Sequence, residues 1–193
     1  LQASTRVPRR FRDWRRSLAL KFGIHISACT DLNNLRSLMT DLRPQVLLPS
    51  LVRIGPQSDG GYLVPDDLDG VDGCFSPGVS TECGFDLEIA NRGTVVFQAD
   101  ASVEEPPVQH PNFRFMKKFI EPVAGQNSIM LDQWVSQCAP GKSELLLQMD
   151  IEGAEWAVLL STPDDVLKKF RIIVVEFHDL HLLFNSHVFK MME

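Results

Sequence analysis

Tyrosine occurs once in 193 residues and cysteine only four times, and no apolar run approaches the roughly 18 residues of a membrane-spanning helix. No transmembrane helix is expected. Cys29, Cys74, Cys83 and Cys138 include no CxxC pair and have no histidine at zinc-finger spacing, so the zinc-finger pattern is absent. They read as buried or incidental thiols in a reducing compartment, with two disulfides as the other arrangement. A full GxGxxG is also missing, because Gly78 is followed by Ser80 and then Gly84. That absence argues against a dinucleotide pyrophosphate turn and a nicotinamide-dependent oxidoreductase. With 12 Gly, 12 Pro, 44% apolar and 23% charged residues, the composition is that of a folded globular chain.

The net charge of -6 conceals two opposite parts. Residues 1–21 hold seven bases against Asp13, a net of +6, while the other 172 residues hold 12 bases and 24 acids, a net of -12. An acidic body argues against a broad phosphate-backbone footprint, and nucleic acid is not an expected partner. In the leader, Phe11, Trp14 and Leu18 recur at helical spacing opposite the arginines. The favoured reading is a solvated helix packed on its own domain. The other is a helix lying on an anionic membrane surface. The expected localisation is cytoplasmic, with any segment before Leu1 unseen.

Residues 1–51 read as a basic, helical accessory region, in which Asp31 caps a helix with a stripe of Leu32, Leu35, Leu38 and Leu42, ended by Pro44. Residues 52–193 read as one α/β domain. It opens with Arg53–Ile54 and Tyr62–Val64 as a short hairpin around a Pro-Gln-Ser-Asp-Gly turn. From Gly73, apolar runs alternate with helical or loop segments, the pattern of βαβ units and a parallel sheet. Five strands are predicted: 74–79, 94–99, 113–120, 144–151 and 171–177. Helices are expected near 82–91 and 154–160, the latter with Trp156 and Leu159 facing inward. A polar stretch containing Asp132 and Trp134 lies between, and 180–191 starts a further helix.

In such sheets ligands bind beyond the carboxyl ends of the strands. Strand one ends in SPGVSTECG, where Gly78 and Ser80 allow close approach to the backbone. Strand two ends in Asp100, placed to accept hydrogen bonds from ribose hydroxyls. Strand four ends in MDIEGAEW. Its Glu152 and Glu155 complement a helix N-terminus, and Asp150 stands at the strand tip. Strand five ends in VVEFHDLH, with Glu176 after an apolar run and His178 and Asp179 at the mouth. A general base is one use of this group. A divalent-metal site of Asp150, Glu176 and His178 or Asp179 is another, and not the favoured one.

The runs RIGPQSDGGYLVPDDL, SPGVSTECGFDLEIANRG, NSIMLDQW, MDIEGAEWAVL and IIVVEFHDLH resemble the FkbM-type methyltransferases, S-adenosylmethionine-dependent enzymes of class I, over roughly Val52 to His181. The resemblance implies a Rossmann-like, mostly parallel sheet of order 3-2-1-4-5, with edge strands beyond the fifth missing and the domain C-terminally incomplete. It implies S-adenosylmethionine as cofactor and O-methylation of a sugar or other small molecule. Gly78, Val79, Ser80, Asp100, Ala101, Asp150 and Glu152 would hold the cofactor, joined by Asp59, Gly61 and Tyr62 of the hairpin. Asp150, His178 and Glu176 are the catalytic candidates. A catalytically silent nucleotide-binding module, with an assembly or membrane-attachment role, is the competing expectation. The oligomeric state is not readable.

Overall fold

The structure, a computed structural model, describes residues 21, 27–46 and 50–191. The leader residues Phe11, Trp14 and Leu18 lie outside the described residues. The chain separates into two units, one of residues 1–43 with 181–193 and the other of Pro44–Leu180.

In the first unit, helix α1 (Leu32–Asp41) starts where the Asp31 carboxylate accepts the Asn33 N–H at 2.8 Å, as an N-cap should. Leu35 and Leu38 pack with Leu183 and Phe189. Leu32 and Leu42 stay exposed, so the expected four-leucine stripe narrows to two. The expected C-terminal helix is a 3-10 turn, Leu180–Phe184, followed by the short helix Ser186–Met191.

The second unit begins with the expected hairpin, β1 (Leu51–Ile54) antiparallel to β2 (Tyr62–Pro65), with Ile54 opposite Tyr62. The Arg53 guanidinium donates to the carbonyls of Pro56 and Ser58 at 2.8 and 2.9 Å and so holds the turn in shape. Next come β3 (Gly73–Pro77), helix α2 (Gly84–Asn91), β4 (Val96–Ala99) and β5 (Phe113–Met116). A small parallel pair follows, β6 (Phe119–Ile120) with β7 (Ser128–Ile129), then helix α3 (Leu131–Cys138) and β8 (Leu145–Met149). Helices α4 (Glu155–Ser161) and α5 (Asp164–Leu167) lead into β9 (Phe170–Val175). The main sheet runs β5-β4-β3-β8-β9 with every pairing parallel, which is the 3-2-1-4-5 order of a Rossmann-like methyltransferase sheet.

Three local expectations change. The run 113–120 is not one strand, because the Lys118 N–H bonds back to the Met116 carbonyl at 2.8 Å and turns the chain out of the sheet. The stretch around Asp132 and Trp134 is helical, and its Leu131, Trp134 and Val135 are buried at i, i+3, i+4 spacing between polar neighbours. In α4 Glu155 and Val158 are the buried residues and Leu159 packs partly buried against the same core, while Trp156 instead stacks on Phe177 with ring centroids 4.0 Å apart.

Strand alternation sends side chains to two cores. Phe75, Leu145, Leu147 and Met149 pack with Trp134 and Val158 on one face. Cys74, Val96 and Leu146 pack with Ile89 of α2 and Ile54 and Val64 of the hairpin on the other. Phe75, Trp134 and Leu145–Leu147 are fully buried, each worth about 1.5–3 kcal/mol relative to exposure. All four cysteines are free thiols.

Candidate active site

The face of the sheet that carries α2 changes character along its length. At alternate positions β3 reads Cys74 then Ser76, β4 reads Val96 then Gln98, and β8 reads Leu146 then Gln148. Each strand is apolar at its start and polar as it nears its carboxyl end. Ser76 donates to Gln148 Oε1 at 2.7 Å, and Gln98 Nε2 donates to Asp86 Oδ2 at 2.6 Å. This buried layer belongs to the floor of a cavity of about 370 Å3 at the carboxyl ends of the strands, to which Ser76, Asp86 and Gln148 contribute. Burial pushes the Asp86 carboxyl up to about 6.

Gly78 and Ser80 form the turn after β3, both at positive φ, 90° and 42°. At Gly78 no side chain fits, since a Cβ there would lie 1.6 Å from the Asp150 carbonyl oxygen. Asp100, at the tip of β4, accepts the Ser80 N–H at 2.8 Å through one oxygen. Its other oxygen accepts the N–H and hydroxyl of Ser102 at 2.7 and 2.6 Å, so one carboxylate ties two loops together.

The hairpin reaches the cavity through Asp59, Gly60 and Tyr62. It is anchored on α2 by the Gly55 N–H, which donates to Glu88 Oε2 at 2.8 Å. The Tyr62 hydroxyl lies 3.1 Å from Asp150 Oδ2 and 3.0 Å from Glu176 Oε2. One hydroxyl proton serves one carboxylate at a time. Burial raises the Asp150 carboxyl, the Tyr62 hydrogen bond pulls it back, and the Glu176 charge raises it again. Burial, followed by the Asp150 charge, likewise drives the Tyr62 phenol upward.

Tyr62→Phe leaves two carboxylates facing each other without their shared donor. It is expected to cost about 1–3 kcal/mol of stability at pH 7. A folded-state pKa above the ordinary carboxylate value means stability falls as pH rises through the gap, so the deficit should be smaller at pH 4.5 than at pH 7. Urea unfolding at both pH values reads this, and an equal deficit at the two would refute it.

His178 follows β9 and meets the β8–α4 turn. Its Nδ1 is 3.0 Å from Oε1 of Glu155, whose side chain is fully buried. Its Nε2 lies 3.8 Å from Asp150 Oδ1 and 3.6 Å from Glu152 Oε2. The hydrogen bond to Glu155 raises the His178 pKa above its ordinary value, against a smaller opposing effect of burial. Glu155 itself is held below the ordinary range: burial pushes it up, but the N–H groups of the turn and the imidazole outweigh that. Asp150, Glu152 and His178 each present a ligand atom within 4.8 Å of the others, a donor set that can hold a divalent cation. Glu176 faces Tyr62 and Asp150 instead.

Of the expected cofactor-binding residues, Asp59, Tyr62, Gly78, Val79, Ser80, Asp100, Asp150 and Glu152 line the cavity. Gly61 is packed in the hairpin turn, where a Cβ would lie 1.9 Å from the Pro56 carbonyl oxygen. It does not line the cavity, and neither do Ala101, Glu176 and His178. Sequence reading missed Asp86, Gln148 and the inward turn of Glu155. The available signal was a polar residue two positions after a buried apolar one on three neighbouring strands. The lining holds seven carboxyl side chains, those of Asp59, Glu82, Asp86, Asp100, Glu121, Asp150 and Glu152. It holds no lysine, arginine or histidine among the described residues.

A parallel 3-2-1-4-5 sheet with its cavity at the carboxyl ends defines the Rossmann-like methyltransferase class of fold. Within that class, residues 140–193 match the family model described as the Methyltransferase FkbM domain. The matched segment carries Asp150, Glu152, Glu155, Glu176 and His178, while the Gly78 turn, Asp100 and Tyr62 precede it. Comparison with curated proteins and with solved structures returns no match. Among the described residues, no helix is long and apolar enough to cross a membrane.

Proposed function

We propose that the second unit is an S-adenosylmethionine-dependent methyltransferase acting on a hydroxyl oxygen of a sugar or other small molecule. The observation that carries this reading is the charge of the cavity. Seven carboxyl side chains line the cavity with no base among the described lining residues, His178 standing outside it beside Asp150 and Glu152. Such a lining suits a ligand that brings positive charge, as the sulfonium and ammonium groups of S-adenosylmethionine do. The same lining opposes the phosphates of a nucleotide, which weighs against a silent nucleotide-binding module.

The cofactor, when bound, supplies an electrophilic methyl group on sulfur. The turn at Gly78 and Ser80 gives the backbone room to approach it, and Asp100 keeps that turn in place. In this reading Asp150 and His178, with Oδ1 and Nε2 3.8 Å apart, take the acceptor's proton, and the Tyr62 hydroxyl positions Asp150 in competition with Glu176.

Calorimetry with S-adenosylmethionine and S-adenosylhomocysteine tests the reading. Both are expected to bind, and a folded protein that binds neither overturns it. Asp150→Asn should lower turnover far more than cofactor affinity, whereas equal losses would make Asp150 a binding residue only.

A further inference from the structure

The Glu155 side chain is fully buried, yet it is an acid. Its Oε1 accepts three hydrogen bonds, from the N–H of Ile151 at 3.1 Å, the N–H of Gly153 at 3.0 Å and Nδ1 of His178 at 3.0 Å. Its Oε2 is buried with no hydrogen-bond partner. A glutamine at this position has the same oxygen for the same three donors and avoids the cost of burying a charge. The charge therefore has a use that holding the turn does not explain. The one group in contact that changes charge in the working pH range is His178.

We propose that Glu155 is a positioning residue that holds His178 with its proton on Nδ1 and its Nε2 lone pair directed to the cavity mouth as the proton acceptor. Nε2 has the freedom for this role, because its nearest acidic oxygens, on Glu152 and Asp150, stand beyond hydrogen-bond range at 3.6 and 3.8 Å. Both of those residues line the cavity. The role in methyl transfer rests on the reading above, while the arrangement of the ring does not. In that transfer the acceptor O–H bond breaks and its proton forms the new bond to Nε2. The oxygen retains the electron pair and forms the C–O bond, and the C–S pair stays with sulfur. The imidazolium so formed is countered by Glu155 behind it and by Asp150 and Glu152 before it, with Asp179 next in the chain.

The test uses the whole chain labelled with 15N-histidine, with long-range imidazole spectra recorded from pH 5 to 9 and His178→Asn for assignment. Wild type is expected to show the Nδ1–H tautomer when neutral. Glu155→Gln keeps an oxygen for the Nδ1–H and removes the charge, so it is expected to retain the tautomer and move the His178 midpoint to lower pH, with S-adenosylmethionine affinity unchanged within about twofold. A neutral Nε2–H tautomer in wild type, or an unmoved midpoint in Glu155→Gln, overturns the proposal. The wild-type tautomer decides the matter even where Glu155→Gln does not fold. Failure of wild type to bind S-adenosylmethionine overturns the methyltransferase reading and leaves the tautomer readable.

Discussion

Gly78→Ala is expected to abolish binding of the proposed cofactor and to lower stability by about 3–5 kcal/mol, the upper end of what single substitutions do. Two costs combine. The first is conformational: Gly78 has φ 90°, where an L side chain is strained by about 1–2 kcal/mol. The second is contact: the added carbon would stand 1.6 Å from the Asp150 carbonyl oxygen and 3.3 Å from Ile151 Cγ2. The obstacle is backbone at the tip of β8, so no side-chain rotation relieves it. The tips of β3 and β8 must separate, and Asp150 moves with its carbonyl, away from Tyr62.

Gly93→Ala isolates the first cost. Gly93 also has positive φ, 94°, just past the end of α2, but an added Cβ there meets nothing within 4 Å. It should cost about 1 kcal/mol. Urea unfolding of both variants separates strain from approach. Equal losses would mean that the close approach of β3 to β8 is not a constraint.

Much of the fold was readable because local chemistry and global order agree. The Asp31 cap, the hairpin before Tyr62 and the alternation of apolar runs from Gly73 all depend on signals within a few residues. Helix α3 was hidden by its polar composition, since three buried residues in eight leave an ordinary solvated segment to the eye. The site was readable at the level of strand tips and no further. That Tyr62 bridges Asp150 and Glu176 depends on contacts 88 and 114 residues distant in the chain, which register and topology decide. Glu155 illustrates the limit. At the start of a helix an acid is explained by the helix dipole, and only packing reveals that this one turns inward to an imidazole.

Asp86→Asn is expected to stabilise the ligand-free protein at pH 7–8 by about 2–3 kcal/mol, the reverse of the usual effect of altering a buried polar residue. The Asp86 side chain is 2% exposed, one of its oxygens has no partner, and neither has the Gln98 Oε1. Burial moves its pKa from 3.8 to about 6, and protonation would supply the missing donor. Between those two values the folded state binds more protons than the unfolded state, so stability falls as pH rises through the window. Above about pH 6 the penalty is complete, at roughly 3 kcal/mol for a gap of this size. Asparagine carries a permanent donor and no charge, and therefore removes both the penalty and its pH dependence. Unfolding free energies at pH 4, 5, 6 and 8 should converge for wild type and variant at the acid end and diverge above it. A variant less stable than wild type at pH 8 would show that Asp86 is ionised and satisfied in the folded protein. A charge kept at such cost on the floor of the cavity is matched by a ligand that arrives as a cation, the character required of the cofactor proposed for this site.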